Sequence, residues 1–172
     1  MDDEIEMAEV LVPIGKIRIQ LSAGILNKIK ILPAQGKCVK VARLDGDFKQ
    51  LSPPMQKCVE WMLAYFNNIK QMPLNASELP LPAFDEDSFT SKVYKTLTEE
   101  IGPGKTISYG DLASLAGRDR AARAVGSAMK RNDLPIVIPC HRVVKNDGGL
   151  GNYSSYNGCI TKEWLIKHEQ SC

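Results

Sequence analysis

The feature that most limits what this chain can become is a change of hydrophobic period part-way along it. Before the change, apolar residues recur at every second position. Ile17, Ile19 and Leu21 alternate with polar residues from Gly15, and Ile29 and Ile31 continue the pattern from Ile25, with Ser22-Ala23-Gly24 between the runs. This predicts an antiparallel hairpin, with a further strand near Lys40 to Leu44. Pro53-Pro54 then precedes Met55, Val59, Met62, Phe66 and Ile69, an apolar stripe at helical spacing. Gln71 to Asp87 is irregular and carries Pro73, Pro80 and Pro82, which predicts a linker between two lobes. Beyond it only the helical period remains. Phe89, Val93, Leu97 and Ile101 form one stripe, closed by Gly102-Pro103-Gly104. A sheet lobe with one helix, followed by a helical lobe, is an α+β arrangement, here divided as 1–84 and 85–172.

The second lobe continues with two short helices. Ser108 to Ala116 is predicted to turn Leu112, Leu115 and Ala116 inward, and Gly117 ends it. Ala121 to Arg131 follows, with Ala122, Val125, Ala128 and Met129 as its apolar side. Two short helices joined by a glycine-containing turn match a helix-turn-helix, although any helical hairpin produces the same pattern. The second helix is rich in small residues (Ala121, Ala122, Ala124, Gly126, Ala128) around Arg123. Small side chains permit close approach, either to a neighbouring helix or to another surface. Lys162 to Glu169 is a last short helix starting after Thr161, with Trp164 and Leu165 as buried anchors.

Net charge is +2, too small to announce a nucleic-acid partner. Its distribution says more. Residues 1–87 hold 10 basic and 12 acidic side chains, whereas 88–172 hold 12 basic and 8 acidic. Arg118, Arg120, Arg123, Lys130, Arg131, Arg142 and Lys145 face only Asp119 and Asp133 in their stretch, which suits a solvated face or a phosphate-contacting one. The acidic start, Met1 to Glu9, is unlike a signal or transit peptide, and no apolar run could span a bilayer. An intracellular protein with no membrane partner is expected. Five cysteines (Cys38, Cys58, Cys140, Cys159, Cys172) without repeated spacing argue against a disulfide framework. With no C-x-x-C and only His141 and His168, a structural zinc is not expected.

The most informative run is Leu134-Pro-Ile-Val-Ile-Pro-Cys-His-Arg-Val-Val144. Ile136, Val137 and Ile138 read as a buried β-like run, and Pro139 fixes the backbone before Cys140. A free thiol titrates near 8.5, so a neighbouring base or cation is needed to make it a ready nucleophile. His141 and Arg142 adjoin it in sequence. Most buried cysteines are simply small apolar residues. Adjacent residues on an extended segment also point apart, so His141 would reach Cys140 through a water or at a bend.

The stretch Ile138-Pro-Cys-His-Arg-Val-Val144 resembles, residue for residue, the active-site signature of the O6-alkylguanine-DNA alkyltransferases. The resemblance runs from about Phe89 to Glu169. It takes in Ser108-Tyr109, Ala121-Ala-Arg-Ala-Val-Gly126, Asn132, Pro135, Gly151-Asn-Tyr-Ser154, Lys162-Glu-Trp-Leu165 and His168-Glu169. The first lobe matches loosely, through Pro13-Ile-Gly15 and its hairpin. The resemblance implies a ribonuclease H-like first lobe, mainly structural. It also implies a winged-helix-like second lobe in which the helix-turn-helix meets an active-site strand.

By the same resemblance Cys140 is the alkyl acceptor, His141 takes its proton through a water, and Glu169 orients that imidazole, a triad-like relay. Asn132 ties the second helix to the active-site strand. Tyr109 rotates the target phosphate and donates a proton to the departing guanine. Arg123 enters the base stack in place of an extruded nucleotide, with Ala122 on the close-approaching face and Arg118, Lys130 and Arg131 on phosphates. Met129, Val143, Tyr153 and Ser154 line the base pocket. The implied partner is double-stranded DNA carrying O6-alkylguanine, with O4-alkylthymine as a second candidate, bound in the minor groove by a monomer without any cofactor. The nucleus is the implied compartment in a eukaryote, the cytoplasm otherwise. The 154–162 loop is about two residues longer than is usual in the family, and Cys159 within it is given a structural role. The rival readings are a non-catalytic helix-turn-helix module binding alkylated DNA and a Cys-His thiol hydrolase. The first lacks the acceptor cysteine. The second needs an oxyanion hole, and no Gly-rich segment adjoins Cys140 to supply one.

Overall fold

The computed structural model describes residues 4–33, 39–72, 75–151, 153 and 158–171. The chain divides into two compact units, one ending at Pro82 and the other spanning Ala83–Ser171.

The first unit is built on three long strands, β1 (Ile5–Val12), β2 (Gly15–Ser22) and β3 (Ile25–Leu32), in an antiparallel meander. A two-residue β4 (Arg43–Leu44) pairs with β1 at Val10 and Leu11, giving the order β3-β2-β1-β4. The expected hairpin is β2–β3, turned at Ala23 and Gly24, both at positive φ as a tight primed turn requires. β1 escapes the sequence pattern because Ile5 and Met7 put apolar side chains on its exposed face while Ala8, Val10 and Val12 fill the core. Asn27 is an extra residue against β2, where pairing steps from Gln20↔Lys28 to Leu21↔Leu26. That bulge lets both Leu26 and Ile29 face inward despite their odd spacing. Ser52 caps α1 (Pro53–Asn67), its hydroxyl accepting from the Met55 N–H, and Pro53 and Pro54 preset the first turn. α1 buries Met55, Val59, Met62 and Phe66 as its stripe predicts, together with Cys58, Trp61 and Tyr65. The linker carries structure: Asn75 and Glu78 form a capping box around a short turn, and Leu79 is buried.

In the second unit α2 (Phe89–Glu100) buries Val93, Tyr94 and Leu97. The chain then turns at Gly102–Lys105 and enters β5 (Ile107–Ser108). The Ser108 hydroxyl caps α3 (Tyr109–Leu115), accepting from the Asp111 N–H at 3.0 Å. Gly117, at φ +83°, closes α3, and α4 (Ala122–Lys130) follows. Leu112, Ala113 and Ala116 face the core, whereas Leu115 is half exposed, contrary to its expected inward place. At 3.6 residues per turn Leu112, Ala113 and Ala116 share an arc of about 100°, and Leu115 falls outside it. β6 (Val143–Val144) pairs in parallel with β5, Ile107 opposite Val143 and Ser108 opposite Val144. α5 (Cys159–Gln170) starts after Gly158, earlier than expected, so Thr161 lies inside it. Leu165 is fully buried and Trp164 only half buried, its ring stacked on His168 at 4.8 Å. No helix among the described residues is long and apolar enough to cross a membrane.

Candidate active site around Cys140

The segment from Asn132 to Val144 is buried but is not the strand its apolar run suggests. Ile136 sits at φ +76°, a conformation that a β-branched residue adopts only under strain. Asn132 holds the distortion. Its Oδ1 accepts from the Leu134 N–H and its Nδ2 donates to the Ile138 carbonyl, both at 2.9 Å. One side chain thus closes the loop that follows α4 onto the residues that enter the site. Cys140–Arg142 then form a single 3-10 turn, and only Val143 resumes extended backbone. With this bend Cys140, His141 and Arg142 are all buried, rather than alternating between core and solvent.

His141 is fully buried, and its Nε2 lies 2.7 Å from Oε1 of Glu169. Proton exchange with the thiol would therefore run through Nδ1. Arg142 grips the same carboxylate, with Nη2 2.9 Å from Oε1 and Nε 2.9 Å from Oε2, and its Nη1 donates to the Ile101 carbonyl. The Gly104 N–H donates to Oε2 at 3.0 Å. Burial alone would raise the Glu169 pKa, yet the donors from His141 and Arg142 hold it far below the usual carboxylate range. Burial lowers the His141 pKa, with Glu169 opposing. Burial raises the Cys140 pKa, opposed by Asn132, by the Lys162 ammonium and by Tyr153. Burial thus works against ionisation of the resting sulfur, and those three groups work for it.

These shifts set a stability profile. The unfolded chain takes up protons before His141 does, so stability is expected to fall as pH drops below about 6.5. It falls again below about 4.5, where unfolded carboxylates protonate and Glu169 resists. Above about pH 9 the unfolded thiols ionise first, because burial raises Cys140 and pushes Cys58 up to about 12. Urea midpoints between pH 3 and 10 check this, and a flat profile from pH 7 to 4 would contradict it.

The other expected residues are distributed as follows. Tyr109 opens α3, half buried, and burial followed by the proximity of Cys140 raises its pKa. Gly151, at φ +68°, packs so closely that a Cβ there would stand 3.3 Å from the Tyr109 hydroxyl. Arg123 and Lys130 are exposed on α4, and Ala122 and Met129 are half buried. Arg118 is exposed with its guanidinium 5.5 Å from the Phe89 ring centroid, and Arg131 donates to the Thr90 hydroxyl at 3.1 Å. The Tyr153 hydroxyl is buried, makes no well-formed hydrogen bond, and has its pKa raised by burial and by Cys140. Val143 is fully buried as the start of β6. Ser154 and the Cys159 side chain lie outside the described residues, as do Cys38 and Cys172.

Four participants were not assigned a role from the sequence. Arg142, counted with the basic stripe, is instead buried in the ion pair with Glu169. Lys162 is fully buried and donates from Nζ to the Val143 carbonyl at 2.5 Å. Its position three residues before Leu165 and seven before Glu169 places all three on one helix face, a signal available in the sequence. Tyr94 donates to the Ala128 carbonyl at 2.7 Å, and burial pushes its pKa to about 12. Gly104 was read only as a helix stop.

Residues 88–171 match the profile of the 6-O-methylguanine DNA methyltransferase DNA-binding domain. Over the whole chain, the human methylated-DNA–protein-cysteine methyltransferase is 39% identical, the alignment covering 98% of this chain and 83% of the relative. The chain belongs to this methyltransferase family. The mouse member is 48% identical over 91% of this chain and 77% of its own length. Among solved structures, the Mycobacterium tuberculosis member crystallised with DNA superposes with a TM-score of 0.70. It is 28% identical, and the match covers 95% of this chain and 91% of that one. The α+β architecture with two lobes is that of the family.

Proposed function

We infer that this protein repairs alkylated guanine in duplex DNA by moving the alkyl group, once and irreversibly, onto the Cys140 sulfur. The observation that carries this reading is the buried ion-paired cluster His141–Glu169–Arg142, next in the chain to the buried Cys140 and set in the same unit as the α3–α4 helix pair. A binding module has no use for a buried imidazole locked to an ionised carboxylate beside a thiol.

The O6 substituent of guanine is not accessible to a side chain while the base is stacked, so the nucleotide must leave the helix at a cost of a few kcal/mol. Arg123, exposed on α4, fills the vacated place from the minor groove, and the Ala122 side of that helix approaches the backbone. Arg118, Lys130 and Arg131 neutralise phosphates. The everted base lies beside Cys140, with Met129, Val143 and Tyr153 around it. The Cys140 proton passes through a water to His141, whose positive charge Glu169 stabilises. The sulfur bonds to the alkyl carbon as the carbon–O6 bond breaks, and the purine takes a proton donated by the Tyr109 hydroxyl. The product is a thioether. No group in the site can expel the alkyl carbon from sulfur, so each monomer acts once and requires no cofactor. In a eukaryotic source the protein would act in the nucleus.

Incubation with duplex DNA containing O6-methylguanine, followed by weighing the peptide that carries Cys140, tests the reading. A gain of one methyl group is expected. Unchanged mass with tight duplex binding would favour the binding module instead. Arg123→Ala should slow transfer from duplex far more than from a free alkylated base, measured as two single-turnover rates. Equal losses on both substrates would remove Arg123 from the flipping step.

A further inference from the structure

An ionised carboxylate offers about four acceptor positions, two on each oxygen. Those of Glu169 are all taken. Oε1 receives His141 Nε2 at 2.7 Å and Arg142 Nη2 at 2.9 Å, and Oε2 receives Arg142 Nε at 2.9 Å and the Gly104 N–H at 3.0 Å. The donors differ in kind. Arg142 supplies charge, and His141 changes protonation during the reaction. The Gly104 N–H belongs to the main chain and does neither.

The approach of Gly104 is as tight as its hydrogen bond requires. Its φ is +77°, and a Cβ there would stand 3.1 Å from the Glu169 carbonyl oxygen, 3.6 Å from the carbonyl carbon and 3.7 Å from Gln170 Cα. All three are backbone atoms, so no flexible side chain could yield. A residue with a Cβ would be strained by φ and pushed off the end of α5 at the same time.

We propose that Gly104 is a positioning residue for alkyl transfer: its N–H fixes Oε2 of Glu169, and its lack of a side chain is what allows that contact. With Oε2 held from the main chain, the carboxylate cannot rotate as the imidazole gains its proton. Nor can it accept that proton without displacing a donor, so the proton stops at His141. The sulfur's negative charge is then matched by a fixed imidazolium at the moment of attack. This inference rests on the Cys140–His141–Glu169 relay proposed above.

The test removes the N–H without adding a side chain. In the full chain, Gly104 is replaced by glycolic acid through stop-codon suppression, which turns that amide into an ester. The Glu169 carboxyl is followed by 13C NMR through acid pH, and transfer from free O6-alkylguanine is timed in single turnover. The Glu169 titration is expected to rise by about one to two units. Transfer should slow about tenfold or more, since small misplacements of a catalytic group carry large rate penalties. Gly104→Ala, run beside it, should lose more, because its Cβ also displaces the Glu169 backbone. An ester protein matching the parent in both readouts overturns the proposal, as does slowed transfer with an unmoved Glu169 titration or a moved titration with unslowed transfer. Glu169→Gln separates the two levels: retained transfer in that variant sinks the relay itself, whereas lost transfer with an unaffected ester protein sinks only the role of Gly104.

Discussion

Cys140→Ala protein is expected to gain no mass from DNA containing O6-methylguanine while still binding the duplex. The side chain removed is buried within a turn whose backbone is held by the Asn132 clamp and by Arg142 N–H to Pro139 carbonyl, at 2.9 Å. The Asn132 and Tyr153 side chains reach the sulfur, but the backbone bonds that hold the turn do not run through it, so fold and DNA contacts should survive. Cys140→Ser should be equally inert, because a hydroxyl cannot be made a comparable nucleophile by a single buried imidazole. Intact-mass spectrometry and a duplex-binding titration together check the prediction. Methyl transfer in the alanine variant would refute the assigned acceptor, and lost duplex binding would show that the substitution damages more than chemistry.

The second large effect is one of stability. Arg142→Met is expected to cost about 3–5 kcal/mol, because it leaves the Glu169 carboxylate buried without its permanently charged partner. The Arg142 and Glu169 side chains are only 8% and 1% exposed, so solvent offers little compensation. The Ile101 carbonyl loses its guanidinium donor as well. Adding Glu169→Leu to that variant should recover part of the loss, since an apolar pair avoids the stranded charge, yet transfer should stay absent. Urea unfolding of the parent, single and double variants gives the comparison. A double variant no more stable than Arg142→Met would show that the ion pair is not where the stability resides.

Much of this architecture could be read from the chain itself where one period dominated. The β2–β3 hairpin, α1, α2 and the α3–α4 pair each announce themselves through regular spacing. β1 did not, because Ile5 and Met7 blur the alternation with exposed apolar residues. The run Ile136-Val-Ile138 misled for a different reason. Burial and β-branching are shared by strands and tightly packed turns, and only the Asn132 side chain decides between them here. In the site, His141 meets Glu169, and the Asn132 side chain lies against Cys140; the roles that the resemblance gives these residues stay a proposal. Arg142 and Lys162 could not be separated from surface cations by composition, since charge alone does not tell whether a guanidinium meets solvent or a buried carboxylate. Gly104 was the least legible, because its contribution is a main-chain N–H that every residue but proline possesses.

The burial of Cys140 carries a consequence for a molecule that can act only one time. Peroxides and other small electrophiles attack thiolates far faster than thiols; Cys140 is only 7% exposed, and its burial also disfavours the thiolate. Keeping the sulfur enclosed guards the acceptor from being wasted between lesions. Each copy can then wait, chemically intact, for the one encounter that exhausts it.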